Sequence, residues 1–273
     1  MYRLMLSDLD ETLLTSDHHV PEINREAVRK ARKKGLKFAP ATGRGYEMTK
    51  EILHELEIDD VEGEYIISFN GGMILETKGF KELYFNGLSY EMVKQIFDFG
   101  KNYDVCMEIF TPEGCFLFNA NQSEIDRKTK QKANFKVIDD YDMSFTKDMR
   151  IAKIIFQKMD VPYLKDLASK MTHITDGKVA VSYSSSRYLE FNALGVNKGA
   201  ALKWLANYLQ IPIEQTIAIG DNDNDITMLE QAGLGVAVAC AQDHIKKVCQ
   251  YVTKKDFYEG AVAETIDKFV LND

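Results

Sequence analysis

Two short apolar runs, each ending in a dense cluster of acids, constrain this chain more than anything else in it. The first, Tyr2–Ser7 (YRLMLS), runs out into Asp8-Leu9-Asp10-Glu11-Thr12. The second, Ile217–Gly220 (IAIG), runs out into Asp221-Asn222-Asp223-Asn224-Asp225 and then a helical start. Short apolar runs bounded by polar clusters read as buried strands. Residues i and i+2 of extended backbone project the same way, so Asp8 and Asp10 leave their strand side by side. Adjacent carboxylates repel, and a hard divalent cation with oxygen ligands makes such a pair tolerable. One acidic pair alone also fits a solvated turn. Two acidic strand ends far apart in sequence can instead meet at the carboxyl edge of an open α/β sheet, where ligands bind.

The rest of the chain follows that rhythm, breaks it, and returns to it. Pro21 suits a helical first turn, Ile23, Ala27, Val28 and Ala31 recur at helical spacing, and Gly35 stops the helix. A second strand (LKFAPATGR) ends in Thr42-Gly43-Arg44, a helix covers about 47–56, and a third strand (YIISFNGG) ends in Asn70-Gly71-Gly72. Strand, helix, strand, helix, strand predicts a parallel sheet with right-handed crossovers. From about 84 to 190 the pattern becomes a helix (89–101), strands VCMEIF and GCFLFNA, a helix (123–132), strand RIAKIIFQ, a helix (162–171), and paired strands KVAVSYSS and RYLEFN. Partial alternation in GCFLFNA and KVAVSYS fits antiparallel strands with one covered face. After Lys198 the α/β alternation resumes through GAALKWLANYLQ, IAIG, DITMLEQAG, GVAVA, QDHIKKVC and QYVT. The expected fold is α/β: a Rossmann-like, doubly wound core of residues 1–83 and 191–273, with an α+β domain of residues 84–190 inserted in it.

Composition narrows the function classes. The 273 residues suffice for two ordinary domains, and a net charge of -8 argues against a broad nucleic-acid or anionic-membrane surface. An anionic substrate therefore needs a locally positive site. No apolar run approaches membrane-spanning length, and the acids at 8–11 interrupt any signal-peptide core, so a cytoplasmic protein is expected. Cys106, Cys115, Cys240 and Cys249 show no CxxC spacing and read as reduced thiols. The five histidines, including His18 and His19 in a loop, show no metal spacing and read as structural or solvated.

Four separated pieces could converge at one sheet edge. Asp8 and Asp10 offer a nucleophilic carboxylate and a second carboxyl able to shuttle a proton. Thr42 and the Gly43 amide offer donors to phosphoryl oxygens. Lys198 offers a point positive charge, at a helix start where the dipole disfavours cations. Asp221, Asn224 and Asp225 offer metal-binding and hydrogen-bonding oxygens. Acids alone would repel phosphate; acids with Mg²⁺, Lys198, Thr42 and helix N-termini can hold it. The plainer reading of each is a solvated acidic rim, a helix-start lysine and a capping threonine.

The set DLDET, TGR, a lysine opening a helix, and GDNDND, in that order, resembles the haloacid dehalogenase superfamily of phosphohydrolases. The inserted domain resembles that superfamily's C2B cap. SFNGG, LEFNALGVNKGAAL and EGAVAETI make nearly the whole chain similar to the Cof subfamily. The resemblance implies that Asp8 attacks phosphorus to form an aspartyl-phosphate, and that Asp10 protonates the leaving alcohol and then activates water. It implies Mg²⁺ on the Asp8 carboxylate, the Asp10 backbone carbonyl and Asp221. The Leu9 amide, Thr42, Gly43, Lys198 and Asn224 would contact the phosphoryl group. Asp225 would orient Lys198 or a metal-bound water, and Arg44 and Asn70 would lie near the pocket mouth. The implied substrates are small phosphorylated metabolites (sugar phosphates, flavin mononucleotide or pyridoxal phosphate), chosen by a cap that closes over the site. Arg187, Tyr188 and Glu190 are candidates for that choice. A hexose phosphomutase and a non-enzymatic phosphate-binding regulator remain alternatives. Two positions depart from the subfamily: Glu11, where glycine or another small or acidic residue is usual, and Cys240, where asparagine is usual.

Overall fold

The computed structural model describes residues 1–272. The chain forms two compact units: residues 1–44, 49–84 and 197–273 make the first, and residues 45–48 and 85–196 the second. In chain order the strands are β1 (Leu4–Ser7), β2 (Lys37–Pro40), β3 (Tyr65–Ser68), β4 (Met73–Glu76), β5 (Lys81–Phe85), β6 (Cys106–Thr111), β7 (Gly114–Phe118), β8 (Phe135–Ile138), β9 (Lys153–Gln157), β10 (Val179–Ser184), β11 (Tyr188–Ala193), β12 (Thr216–Gly220), β13 (Leu234–Ala237) and β14 (Tyr251–Val252). The helices are α1 (Glu22–Lys33), α2 (Lys50–Glu55), α3 (Tyr90–Gly100), α4 (Gln122–Lys130), α5 (Val161–Lys170), α6 (Thr172–Thr175), α7 (Lys198–Tyr208), α8 (Ile226–Gln231), α9 (Asp243–Val248) and α10 (Ala261–Ile266).

The first unit is built on a parallel five-stranded sheet of order β14-β13-β12-β1-β2. β1 has β2 on one side and β12 on the other, so the chain winds outward in both directions from it. That reversal opens a crevice at the carboxyl ends of β1 and β12, where both acidic clusters lie. Leu4, Leu6 and Ala218 pack with Leu202, Leu205, Met228 and Leu229 of α7 and α8. Met5, between the two leucines, points to the opposite face and is equally buried. On α1, Ala27, Val28 and Ala31 are buried, and the helix packs against α10. Cover on both faces explains why these strands are continuously apolar rather than alternating.

β3 differs from expectation. It touches the parallel sheet through a single bridge, Ala41 to Ile67. The chain then reverses through Phe69, Asn70 and Gly71, all with positive φ (52°, 56° and 100°), and β3 pairs antiparallel with β4 in a three-stranded sheet of order β3-β4-β5. An L side chain at Gly71 would be strained, and its Cβ would lie 2.5 Å from the Asn197 carbonyl oxygen. β4 and β5 were not anticipated from the apolar pattern.

The second unit carries a six-stranded sheet of order β10-β11-β9-β6-β7-β8, antiparallel except where β7 meets β8. Met107, Ile109, Ile154, Phe156, Leu189 and Phe191 face one way and share a core with Val93, Ile96, Phe97, Leu164 and Leu167 of α3 and α5. The alternate residues Glu108, Lys153 and Glu190 are also buried, on the other face. β8 and α6 were not foreseen. β11 pairs Phe191 with Ile154 and continues to Ala193, so residues 191–196 belong to this unit and not to the core as expected. Among the described residues no helix is long and apolar enough to cross a membrane.

Candidate active site

The site of the first unit grows from strand ends. Asp8 follows β1, its amide donating to the Ile219 carbonyl of neighbouring β12 (3.0 Å), and so it stands beside the β12 end that carries Asp221. Lys198 opens α7, whose N-cap is Asn197: the Asn197 Oδ1 accepts from the Ala200 amide (2.8 Å). A cation there opposes the helix dipole, yet Lys198 is 0 % exposed. Its ammonium donates to Asp8 Oδ1 and, at 2.6 Å, to Asp225 Oδ1. Asp225 Oδ2 accepts from the amides of Asp221 and Asn222, both at 3.1 Å. Gly220 makes room for this: a Cβ on it would lie 2.5 Å from Asp225 Oδ2. Asp221 Oδ1 accepts from the Thr12 hydroxyl (2.8 Å).

Asp8, Asp221 and Asp225 thus place three buried carboxylates with ligand atoms within 4.8 Å of one another. One ammonium faces them, so with all four groups ionised the cluster carries a net charge of -2. The electrostatics register that imbalance. Burial, with Asp225, Asp221 and Asp10, pushes the Asp8 carboxyl well above its ordinary range against the pull of Lys198. Burial, followed by Asp225, pushes Asp221 up to about 7, with Glu11 adding to the rise. Lys198, which burial alone would depress, is held above its usual range by Asp225 and Asp8. Both Asp225 oxygens are occupied by protein donors. Asp8 Oδ2 and Asp221 Oδ2 have no partner among the described residues. An oxygen-rich, electron-rich cluster with two uncommitted carboxylate oxygens suits a hard divalent cation.

The phosphate-suited donors sit around this cluster. Thr42 hangs between strands, its amide donating to Ile67 O and its carbonyl accepting from the Asn70 amide, both at 2.9 Å. Its hydroxyl oxygen accepts from the Arg44 amide (3.1 Å). Gly43 lies against the Asn70 side chain, 3.1 Å from its Oδ1 to an added Cβ. Asn224 Nδ2 donates to Asn70 Oδ1 (3.1 Å). The Leu9 and Gly43 amides donate to no protein acceptor among the described residues. Asn70, expected at the pocket mouth, is buried and ties Thr42 and Gly43 to Asn224.

Asp10 is placed differently from Asp8. Its side chain is 45 % exposed and gripped by Arg44, whose Nε donates to Oδ2 at 3.0 Å and whose Nη2 donates to Oδ1. Partial burial pushes the Asp10 carboxyl up, but His18 and the Arg44 guanidinium outweigh that and hold it well below the usual carboxylate range. Arg44 is buried. His18, read from sequence as structural or solvated, stands 3.1 Å from Arg44 Nη2 and 3.6 Å from Asp10 Oδ1. No spacing in the chain announces it. Glu11 adopts φ 56°, the conformation that favours glycine, and its side chain is exposed. Cys240 is exposed, its Sγ 4.0 Å from the Glu11 carbonyl. Arg187, Tyr188 and Glu190 lie in the second unit, where Tyr188 donates to buried Glu124 (2.7 Å) and Glu190 pairs with Lys153 (2.5 Å).

Comparison with known proteins identifies the family. The family described as haloacid dehalogenase-like hydrolase matches residues 5–266. A protein of Streptococcus pyogenes serotype M6 with a provisional phosphatase name is 32% identical, over 99% of each chain. The 5-amino-6-(5-phospho-D-ribitylamino)uracil phosphatase YcsE of Bacillus subtilis is 28% identical, over 98% of this chain and 96% of its own. A haloacid dehalogenase-like hydrolase from Bacteroides thetaiotaomicron shares the fold with a TM-score of 0.87 and 27% identity, over 98% of this chain and 99% of that one.

Proposed function

Since the chain belongs to the haloacid dehalogenase-like hydrolases, and is a phosphoric monoester hydrolase of small phosphorylated molecules, we propose that it works through an aspartyl-phosphate on Asp8 with Mg²⁺ as its metal. The observation that carries this reading is the cluster of Asp8, Asp221 and Asp225 around one lysine, with an oxygen of Asp8 and one of Asp221 uncommitted.

An Asp8 oxygen attacks phosphorus; the bond from phosphorus to the ester oxygen breaks, and the leaving alcohol takes its proton from Asp10, which must first be freed from the Arg44 grip that holds it ionised in this structure. Asp10, again a carboxylate, then takes a proton from water as the water oxygen attacks phosphorus, freeing phosphate and restoring Asp8. The Leu9 and Gly43 amides, the Thr42 hydroxyl, the Asn224 amide and Lys198 hold the phosphoryl oxygens, where charge spreads in the transition state. Asp225 fixes Lys198 from behind. The Asp8 carboxylate, the Asp10 backbone carbonyl and Asp221 would hold the metal. When bound, Mg²⁺ supplies the positive charge that lets a phosphate approach three carboxylates.

The substrate class we infer is sugar phosphates and phosphorylated cofactors such as flavin mononucleotide or pyridoxal phosphate. The ribityl phosphate named for the Bacillus subtilis relative supports that range. Phosphate release from a panel of these esters, with Mg²⁺ or chelator and with Asp8→Asn, tests the reading. Mg²⁺-dependent release lost in Asp8→Asn is expected, as is a phosphorylated Asp8 peptide in acid-quenched turnover. Release that survives Asp8→Asn would overturn it.

A further inference from the structure

Asn70 takes no part in the proposed reaction, yet the turn that carries it is held in a conformation that needs a reason. Phe69, Asn70 and Gly71 all have positive φ, and Asn70 sits at φ 56°, ψ 28°. Residues other than glycine rarely enter that region, asparagine among the more tolerant, and strained backbone persists where the surroundings enforce it. Here the Phe69 amide donates to Arg44 O (3.0 Å) and the Asn70 amide to Thr42 O (2.9 Å), so the turn is bonded to both ends of the Thr42-Gly43-Arg44 loop. Its next residue, Gly71, lies against Asn197 O at the start of α7.

The side chain adds a longer tie. Asn70 is 6% exposed. Its carboxamide covers Gly43, where a Cβ would lie 3.1 Å from Oδ1 and 3.3 Å from Nδ2. Oδ1 also accepts from Asn224 Nδ2 (3.1 Å), a residue 154 positions away. In the sheet β1 lies between β2 and β12. One buried amide therefore joins the loops that follow β2 and β12, on either side of the loop that carries Asp8. Asn224 is half-buried, and this is the one side-chain hydrogen bond it makes among the described residues. An amide nitrogen carries two hydrogens in one plane. With one committed to Asn70, that plane is set and the second hydrogen has a single direction. Without Asn70, Asn224 could turn about both of its side-chain bonds.

We propose that Asn70 is a positioning residue for phosphoryl transfer: by holding the Asn224 amide it aims that amide's second hydrogen at a phosphoryl oxygen. Asn70 itself touches no substrate. This rests on the reading of Asn224 as a phosphoryl contact given above. A donor aimed beforehand at an oxygen where charge develops needs no reorganisation as the phosphorus–oxygen bond breaks, and that is where its effect on rate arises.

The test is a double-mutant cycle on the full-length protein with Mg²⁺. It is read as kcat/KM for an alkyl sugar phosphate and as the inhibition constant of orthovanadate, an oxyanion able to take the five-coordinate geometry of phosphoryl transfer. The inhibition constant does not depend on what fraction of the protein is folded. Asn70→Gly keeps the backbone that φ 56° demands and removes only the carboxamide; Asn224→Ala removes the donor. Asn224→Ala should weaken both quantities about a hundredfold, as loss of one preorganised donor does, and Asn70→Gly about tenfold, as misaiming does. Added to Asn224→Ala, Asn70→Gly should cost less than about a further twofold, because it acts through the amide already removed. A residue that only shaped the turn would give losses that multiply in the double variant. Such multiplying losses, or an Asn70→Gly variant within about twofold of wild type on both quantities, would overturn the proposal. An unaltered Asn224→Ala variant would remove Asn224 from the phosphoryl contacts, and the proposal with it. The aspartyl-phosphate reading fails on a different result, turnover that survives Asp8→Asn.

Discussion

Asp221 ties the stability of the first unit to pH in a direction opposite to that of most carboxylates. Its carboxyl is pushed from 3.8 up to about 7, by burial first and then by Asp225. A group with a raised folded pKa binds its proton more tightly in the folded state than in the unfolded one. Its charge therefore weakens the fold above pH 7, and that loss is recovered as pH falls through 7. Each pH unit is worth about 1.4 kcal/mol, so acidification to 5.5 should return about 2 kcal/mol in chelator. At about 2–4 °C per kcal/mol for a chain of this size, Tm should rise by about 4–8 °C. Asp8, raised in the same sense, adds to the effect. A bound divalent cation competes with these protons, so Mg²⁺ should stabilise more at pH 8 than at pH 5.5. The chain's single tryptophan makes the measurement specific. Trp204 lies on α7, between Tyr84 (5.5 Å) and Tyr208 (5.3 Å), all in the unit that holds the site. Its fluorescence during thermal unfolding, in chelator at pH 8 and 5.5, would be compared with that of Asp221→Asn. The variant keeps an acceptor for Thr12 but cannot titrate, and should lose about 2 kcal/mol of the pH dependence. If wild type and Asp221→Asn shift in parallel, or wild type is flat, the electrostatic account of this cluster is wrong.

Lys198→Met should abolish turnover and destabilise the first unit by about 3–5 kcal/mol in chelator, because it leaves buried carboxylates without their cation; urea unfolding followed through Trp204 measures it. Gly220→Ala drives a Cβ into the Asp225 carboxylate and should cost about 1–3 kcal/mol in the same assay, with turnover lowered as Lys198 loses its backing. In the second unit, Glu108 is fully buried 2.7 Å from Lys128, and burial, opposed by Lys128 and reinforced by Glu124, raises it to about 7. Its charge costs stability above pH 7, so Glu108→Gln should raise the calorimetric transition of that unit at pH 8.5 more than at pH 6. An equal shift at both pH values would refute it.

Much of the core was legible because its signals are local. Continuous apolar strands, the helical stripe of Ala27, Val28 and Ala31, and the acidic strand ends follow from spacing along a few residues, and the parallel sheet follows from their alternation. The misreading at β3 was local too: Asn70-Gly71 inside SFNGG is a hairpin signal, and the apolar run before it masked the reversal. β8 escaped because its residues, FKVI, alternate only weakly and half-cover an edge. The end of the inserted unit was misplaced because pairing partners set a strand's extent: β11 runs on as far as β9 and β10 can bond it.

The sequence by itself determined the chemistry available to this protein: which side chains stand at strand ends and helix starts, and hence the acids, the lysine and the hydroxyl of the proposed phosphoryl-transfer site. Tertiary structure alone decided how they are used. Asp8 and Asp10 are two residues apart and chemically identical, yet one is buried against Lys198 with its carboxyl pushed up, and the other is half-open and held down by Arg44 and His18. That division depends on residues 34 and 190 positions away. Distances across such spans are fixed by packing, and a carboxylate's charge is set by what packing places beside it.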